Sequence, residues 1–523
     1  MTDTGTVNVC DHGAAGDGVT MDTSALQSAI DSCAESGGGM VLVPAGTYLT
    51  GTINLKSNME LHLRAGATLR GSPNPDDYNA DDVFPENPTF SSERVSGAHL
   101  VIAYCAENVA ITGQGTIDGG SSQFFEPLPP DWSGPGNFPI KDWRPGQMVF
   151  FCRCRQVAVR DVSLLNAPYW TLFLLGCDDV QIRGVRIVNP PQTANGDGID
   201  IDCCANVTVS DCIVRSGDDS ITLRGNTKVL GRQKPCENVV VTNCVLSSPC
   251  NAIRVGVGDG LIRNCSFSNI VITDSRTGIN MVCRYSDRVP VGTSIENIHF
   301  SQFTMDVILP LQVIVGAGAS EAAGIRDVTF SAFRVRAQAG FYVGGNPGLP
   351  IQRIRLHDWD LLLSGGAENC VLVDAVPYPY PIAGHPGTEG RPALPCAVYG
   401  THLDDVSIRG FRVRWADDLS AVWRDGLVFE HVSELTLTGL DLRQPQLDAG
   451  AALRCRDVDG VCVTGSRAAS GTTTFLQMEQ SPPNARVHCI GSDLTAAGRA
   501  WESDVEVYEA GVTGSVGLVA EPV

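Results

Sequence analysis

Two acidic segments stand a short distance apart in the chain and are built alike. The first reads Asn195-Gly196-Asp197-Gly198-Ile199-Asp200-Ile201-Asp202, the second Ser216-Gly217-Asp218-Asp219-Ser220-Ile221-Thr222-Leu223-Arg224. In both, apolar and polar residues alternate with the two-residue period of a half-buried strand. Ile199, Ile201, Ile221 and Leu223 share the inward face, while Asp197, Asp200 and Asp202 take the outer one. Stacked as neighbouring strands about 4.8 Å apart, the segments bring Asp197 beside Asp218 and Asp219 on an exposed ledge. Carboxylates crowded in this way repel, so at least one should hold a proton near neutral pH. Glycosidic cleavage needs that asymmetry: a protonated carboxyl for the leaving oxygen and an ionised one for water or the sugar carbon. An Asp-Asp pair alone carries little weight, since Asp76-Asp77, Asp81-Asp82, Asp178-Asp179, Asp404-Asp405 and Asp417-Asp418 also occur and mostly read as solvated turns. The partner at Asp197 sets Asp218-Asp219 apart.

What must position these residues is a ragged internal repeat. Its unit is a turn residue, a short alternating strand, a corner and a second strand, as in Asn108-Val-Ala-Ile, Asp179-Val-Gln-Ile, Asn206-Val-Thr-Val and Asn238-Val-Val-Val. Starts at 179, 206 and 238 differ by 27 and 32 residues, and those at 405 and 434 by 29. Short β-branched strands at such spacing predict the coils of an all-β solenoid, a right-handed parallel β-helix. A β-sandwich is the competing architecture, and it would need hairpin turns. No linker divides residues 1–523, which are expected to form one domain. Leu26, Ile30 and Cys33 fall at helical spacing behind Asp22 and Thr23, predicting a helix over 22–35 that caps the open end of the solenoid. Two Pro- and aromatic-rich inserts, 123–146 with Trp132 and Trp143 and 376–396, read either as walls of a cleft, which their aromatic content favours, or as disordered segments.

Composition narrows the function. Against 37 basic residues stand 58 acidic ones, a net charge of −21 that argues against nucleic acid and anionic membranes as partners. The start, Met1–Val9, has no basic-then-apolar leader and the chain has no apolar run of about 18 residues, so a cytoplasmic protein without a membrane span is expected. The 19 cysteines lack the paired spacing of a zinc site. They read as small buried hydrophobes in a reducing compartment, with no metal and no cofactor expected.

At these residues the chain resembles glycoside hydrolase family 28, the polygalacturonase-like enzymes of the pectin-lyase-like β-helix superfamily. Gly13-Ala-Ala-Gly-Asp-Gly18, Gly37-Gly-Gly-Met-Val-Leu-Val-Pro-Ala-Gly-Thr-Tyr48 and Gly66-Ala-Thr-Leu69 are similar to the amino-terminal part of such β-helices. Asn166-Ala-Pro-Tyr-Trp170, Asn195-Gly-Asp197 and Gly217-Asp-Asp219 are similar to the family's Asn-Ser-Pro-x-Trp, Asn-Thr-Asp and Gly-Asp-Asp motifs, and the separation 219 − 197 = 22 suits one coil. The resemblance implies that Asp218 is the general acid and that Asp197 and Asp219 deprotonate an attacking water. It also implies inversion of configuration, which goes with carboxylates roughly 6.5–9.5 Å apart. The substrate would be an oligosaccharide or polysaccharide, pectin-derived in the simplest case.

Two motifs differ. Where the family has Gly-His-Gly the chain reads Cys250-Asn251-Ala252 before Gly256, and where it has Arg-Ile-Lys the chain reads Asn280-Met281-Val282. The substrate therefore need not be galacturonan, and the residues expected to bind it are Asn195, Asp200, Asn251, Arg254, Asn280, Arg284, Tyr285 and Trp170. Arg254 either grips an anionic sugar or neutralises Asp200 and Asp202; Trp170 either stacks on a sugar or joins the core. Two other functions stay open: a lyase or intramolecular glycosyl transferase on the same scaffold, and a catalytically silent carbohydrate-binding β-helix.

Overall fold

The structure is a computed structural model of the 523-residue chain, and it describes residues 5–87, 93–129, 137–284, 291–316, 318–364, 394–417, 419, 423–447, 450–514 and 517–519. They fall into two compact units, Met1–Arg254 with Gly260–Cys265, and Val255–Asp259 with Ser266–Val523.

In the first unit the coils around the acidic residues contribute three short strands each. Val149–Cys152, Arg155–Arg160 and Ser163–Leu165 make one coil; Leu172–Leu175, Asp178–Arg183 and Arg186–Val188 the next; Ile199–Asp202, Ala205–Ser210 and Ile213–Arg215 a third. Each strand pairs in parallel with its counterpart one coil away, so like residues stack in columns: Val149, Leu172, Ile199 and Ile221; Val157, Val180, Val207 and Val239. All eight are buried. Parallel pairing at every coil excludes a sandwich joined by hairpins, and the fold is a right-handed parallel β-helix.

The corners explain the turn residues of the repeat. Asn108, Asp179, Asn206 and Asn238 all sit in the left-handed region, at φ of 54°, 57°, 58° and 56°. Asn and Asp tolerate that conformation better than other non-glycine residues. Here their side chains also bond from coil to coil: the Asn206 amide donates to Asp179 and the Asn238 amide to Asn206, both at 3.0 Å.

A helix, α1, spans Thr23–Glu35 and buries Leu26, Ala29, Ile30 and Cys33 against Thr6–Asn8, Gly39–Val43 and Ile53–Leu55. The expected helix is therefore present. Asp22 precedes it without capping it through the side chain; its carboxylate accepts the amides of Ala15 at 2.7 Å and Gly16 at 3.1 Å instead. In the insert 123–146, Phe124, Phe125, Phe138, Ile140 and Trp143 pack around Ala194, just before the first acidic turn. Trp132 and residues 376–393 of the second insert lie outside the described residues.

The second unit stacks longer parallel strands, including Ser294–Ile314, Gly324–Ala337, Ile351–Leu363 and Val398–Trp415. Phe303, Phe333 and Trp359 form an aromatic stack inside it, with ring centroids 4.8 Å and 4.2 Å apart.

Candidate active site

The acidic residues lie where three successive coils of the first unit enter their strands. Backbone hydrogen bonds carry the ladder past the strand ends: the Thr171 amide donates to the Asp197 carbonyl at 2.9 Å, that of Gly198 to Asp219 at 2.8 Å, and that of Ser220 to Asn251 at 2.9 Å. Trp170, Asp197, Asp219 and Asn251 thereby become lateral neighbours. The two turns touch, with the Gly217 amide donating to the Gly196 carbonyl at 2.9 Å. A Cβ at Gly217 would stand 2.6 Å from the Thr193 carbonyl oxygen, so only glycine fits this approach. The hydroxyls of Ser216 and Ser248 both donate to the Asp218 carbonyl, at 2.5 Å and 2.6 Å, and fix the backbone of that turn.

The aspartates point away from the solenoid interior as the alternation predicts, but they do not form an exposed ledge. Asp197 is 3 % exposed and Asp219 1 %; Asp218 is half-buried. Two arginines and an indole ring cover the row. Arg224 donates from Nε to Asp200 at 2.8 Å and from Nη2 to Asp197 at 3.1 Å, and its guanidinium lies 4.2 Å from the centroid of the Trp170 ring. Arg254 donates to Asp219 at 3.0 Å, and the Asn251 amide donates to the other oxygen of Asp219 at 2.6 Å.

These partners set the carboxyls apart. Burial raises the Asp197 carboxyl well above the ordinary aspartate value, and the charges of Asp200, Asp218 and Asp219 push it further than Arg224 pulls it back. Burial also acts to raise Asp219, yet Arg254 and the Asn251 hydrogen bond more than offset it and hold the group below the ordinary value. Asp200 is raised to about 6, by burial first, with Arg224 opposing. One carboxyl favours its proton while its neighbour favours ionisation, the division that acid–base cleavage requires.

Several expected substrate contacts take other parts. Asp200 is fully buried and pairs with Arg224, so it is an internal counter-ion. Trp170 is 6 % exposed, stacks on Tyr169 at 5.0 Å and supports Arg224; it belongs to the core and presents no open face for a sugar. Asn195, at φ 55°, shapes its turn and accepts a hydrogen bond from Arg144 at 2.9 Å. Arg254 neutralises Asp219, whereas the neutralising of Asp200 falls to Arg224; Asp202 is held by the amide and side chain of Asn226, at 2.9 Å and 2.6 Å. Asn280 and Arg284 belong to the second unit, and Tyr285 lies outside the described residues.

Two arginines that hold the acidic residues in place escape sequence reasoning. Arg224 leaves a trace, since it stands in register with Asp202 on the adjacent strand. Arg144 leaves none. It arrives from the insert, fully buried, and donates to the carbonyls of Pro168 and Ala194 at 2.9 Å and 2.7 Å, tying the acidic turn to the coil before it. Burial lowers it to about 10 against the charges of Tyr169, Glu93 and Asp197.

Among the described residues, Asp218, Asp219 and Cys250 offer ligand atoms within 4.8 Å of one another. The guanidinium of Arg254 already occupies Asp219 and opposes a cation there. The same spacing places the Asp218 and Asp219 oxygens closer than the gap of roughly 6.5–9.5 Å expected between the carboxyls of an inverting pair.

A β-helix carrying a row of buried aspartates with opposed proton affinities defines a solenoid with an acid–base site. Its family is more specific: the profile of glycosyl hydrolases family 28 matches residues 33–311, and the chain belongs to that family. The chain is similar to a "Probable polygalacturonase" of Vitis vinifera, 28% identical over 57% of this chain and 60% of that protein. It is also similar to the exo-poly-alpha-D-galacturonosidase of Dickeya chrysanthemi, 27% identical over 62% and 59%. The chain thus spans about three fifths of the length of these two relatives. Among solved structures it is similar to a hyperthermoactive exopolygalacturonase from Thermotoga maritima, at 26% identity and a TM-score of 0.55 over 69% of this chain and 87% of that one. A family 28 exopolygalacturonase of Yersinia enterocolitica, at 20% identity and a TM-score of 0.60 over 83% and 78%, shares the fold.

Proposed function

We propose that the chain is a glycoside hydrolase that removes sugar units from the end of an acidic oligosaccharide by a single displacement with inversion. The observation that carries this reading is the pairing of Asp197 and Asp219, neighbours in one ladder with proton affinities displaced in opposite directions. Family membership supports the hydrolase class, and the names of the exo-acting relatives support a uronate substrate and attack from the chain end.

In the proposed reaction Asp218, the most accessible of the three, gives its proton to the glycosidic oxygen as the bond from that oxygen to the anomeric carbon breaks. A water held by Asp197 and Asp219 forms the new bond to carbon and passes its proton to Asp219, which Arg254 and Asn251 keep ionised. Return of that proton to Asp218 closes the cycle, with one water consumed per bond. Crowded carboxyls share protons as a set, so the high affinity of Asp197 keeps a proton within the triad between turnovers. Asn251, which stands where the family pattern has a histidine, serves Asp219 in this reaction. Cysteines buried among apolar residues, such as Cys33, Cys152, Cys203 and Cys204, suit action inside the cell.

The closeness of Asp218 and Asp219 favours a second reading, a double displacement that retains configuration. One experiment addresses both. Wild-type protein and Asp218→Asn are incubated with galacturonan fragments and neutral oligosaccharides, and the first-formed anomer is followed by proton NMR. The expected result is release of an inverted uronate product, reduced roughly 10²–10⁴-fold in the variant. Equal cleavage by the variant removes Asp218 from the chemistry, and a product of retained configuration replaces the single displacement with the double one.

A further inference from the structure

A second polar groove lies in the first unit on a different ladder, formed by Met59–Leu63, Glu107–Gly113, Arg155–Arg160 and Asp178–Arg183 with the corners that follow them. It shares no residue with the aspartate site. Its volume is about 450 Å³, and His62, Arg64, Thr112, Arg160, Asp161 and Arg183 line it. The corner is kept low by Ala65 and Gly113; a Cβ on Gly113 would stand 2.0 Å from the Leu63 carbonyl oxygen.

Register makes the charge distribution unusual. His62, Thr112, Arg160 and Arg183 occupy one row across four strands, so the two arginines are direct lateral neighbours about 4.8 Å apart along the ladder. Like charges in that relation destabilise a sheet. Several other strand arginines of this acidic chain meet a carboxylate across the ladder, as Arg155 meets Glu107, Arg263 meets Glu237 and Arg353 meets Asp327. Among the described residues, Arg64, Arg160 and Arg183 have no such partner. Of the two acids in the groove, Glu60 is engaged by His62 and Thr112, which leaves the exposed Asp161 against three guanidinium groups. In a chain of net charge −21, this is a local anion-seeking surface.

We propose that this groove is a non-catalytic binding site for acidic carbohydrate, with the carboxylates of a uronate chain running across the strands over Arg183 and Arg160. Guanidinium groups bind carboxylates in two-pronged fashion, and a strand step is on the order of one sugar residue, so successive carboxylates meet successive strands. The choice of a uronate ligand rests on the substrate proposed above; the site itself rests on the arginine row. A hold on the polymer at this groove would keep a long chain near the enzyme between cleavage events.

The test is affinity electrophoresis through gels containing polygalacturonate or neutral galactan, with Asp218→Asn as the background that prevents cleavage. Adding Arg160→Gln and Arg183→Gln to that background is expected to weaken retention on polygalacturonate about tenfold and to change nothing on galactan. The same two substitutions in the otherwise wild-type chain are expected to leave cleavage of a short galacturonate oligosaccharide at the wild-type rate. Equal retention with and without the arginines overturns the proposal, as do equal retention on galactan, parallel loss of short-substrate cleavage, and competition by inorganic phosphate as effective as that by galacturonate. Arginine-dependent retention in a protein whose wild type cleaves nothing upholds the groove and defeats only the hydrolase reading.

Discussion

Arg254 and Asn251 determine how the acid–base site responds to pH. With both in place, Asp219 is held below the ordinary aspartate value, so the acid limb of kcat/KM is expected at low pH. Replacing Arg254 by Gln removes the cation, raises the Asp219 carboxyl and protonates it at a higher pH. The acid limb of Arg254→Gln is therefore expected to move toward neutrality by about 1–3 units, measured from the pH dependence of kcat/KM on a galacturonate oligosaccharide. An unmoved limb would mean that Asp219 does not act as the base. At this scale the sequence was informative about the carboxyls and silent about what covers them. Asp197, Asp218 and Asp219 were legible because alternation fixes the face of each residue and the repeat fixes its neighbour. The roles of Asp200, Trp170 and Asn195 were not, because each depends on a side chain reaching diagonally or from an insert: Arg224 to Asp200 and over Trp170, and Arg144 to Asn195.

The corner residue is the element that keeps the coils in register. Asn206 combines a left-handed backbone with a bond to Asp179 below and one from Asn238 above. Asn206→Ala should lose both bonds and acquire backbone strain, lowering stability by about 1–2 kcal/mol. Asn206→Gly should lose less, since glycine takes that conformation freely. The midpoint of guanidinium unfolding reads both variants, and an equal loss would show that strain plays no part. The solenoid was legible from these corners and from columns such as Val157, Val180, Val207 and Val239, since a residue that recurs once per coil must stack on itself. Asp22 stands at the start of the helix as its place ahead of Leu26 and Ile30 suggests, while its carboxylate binds the amides of Ala15 and Gly16 in the preceding loop.

Over the whole molecule, 58 acidic residues against 37 basic ones create a field that repels an acidic substrate. Salt shortens the reach of that field to about 8 Å at physiological ionic strength. For a short galacturonate oligosaccharide, kcat/KM is expected to rise with added salt between low and physiological ionic strength, while a neutral analogue shows no change. A fall for the acidic substrate would place attraction at the catalytic cleft above repulsion by the chain as a whole. The central claim is narrower: two neighbouring aspartates hold opposite charge states under the conditions of reaction. The measurement that reaches it directly is a ¹³C NMR titration of the aspartate carboxyls, with Asp197→Asn and Asp219→Asn used to assign the two signals. The account predicts that Asp219 is a carboxylate below the ordinary aspartate value while Asp197 keeps its proton well above it; both signals titrating together near 3.8 would contradict it.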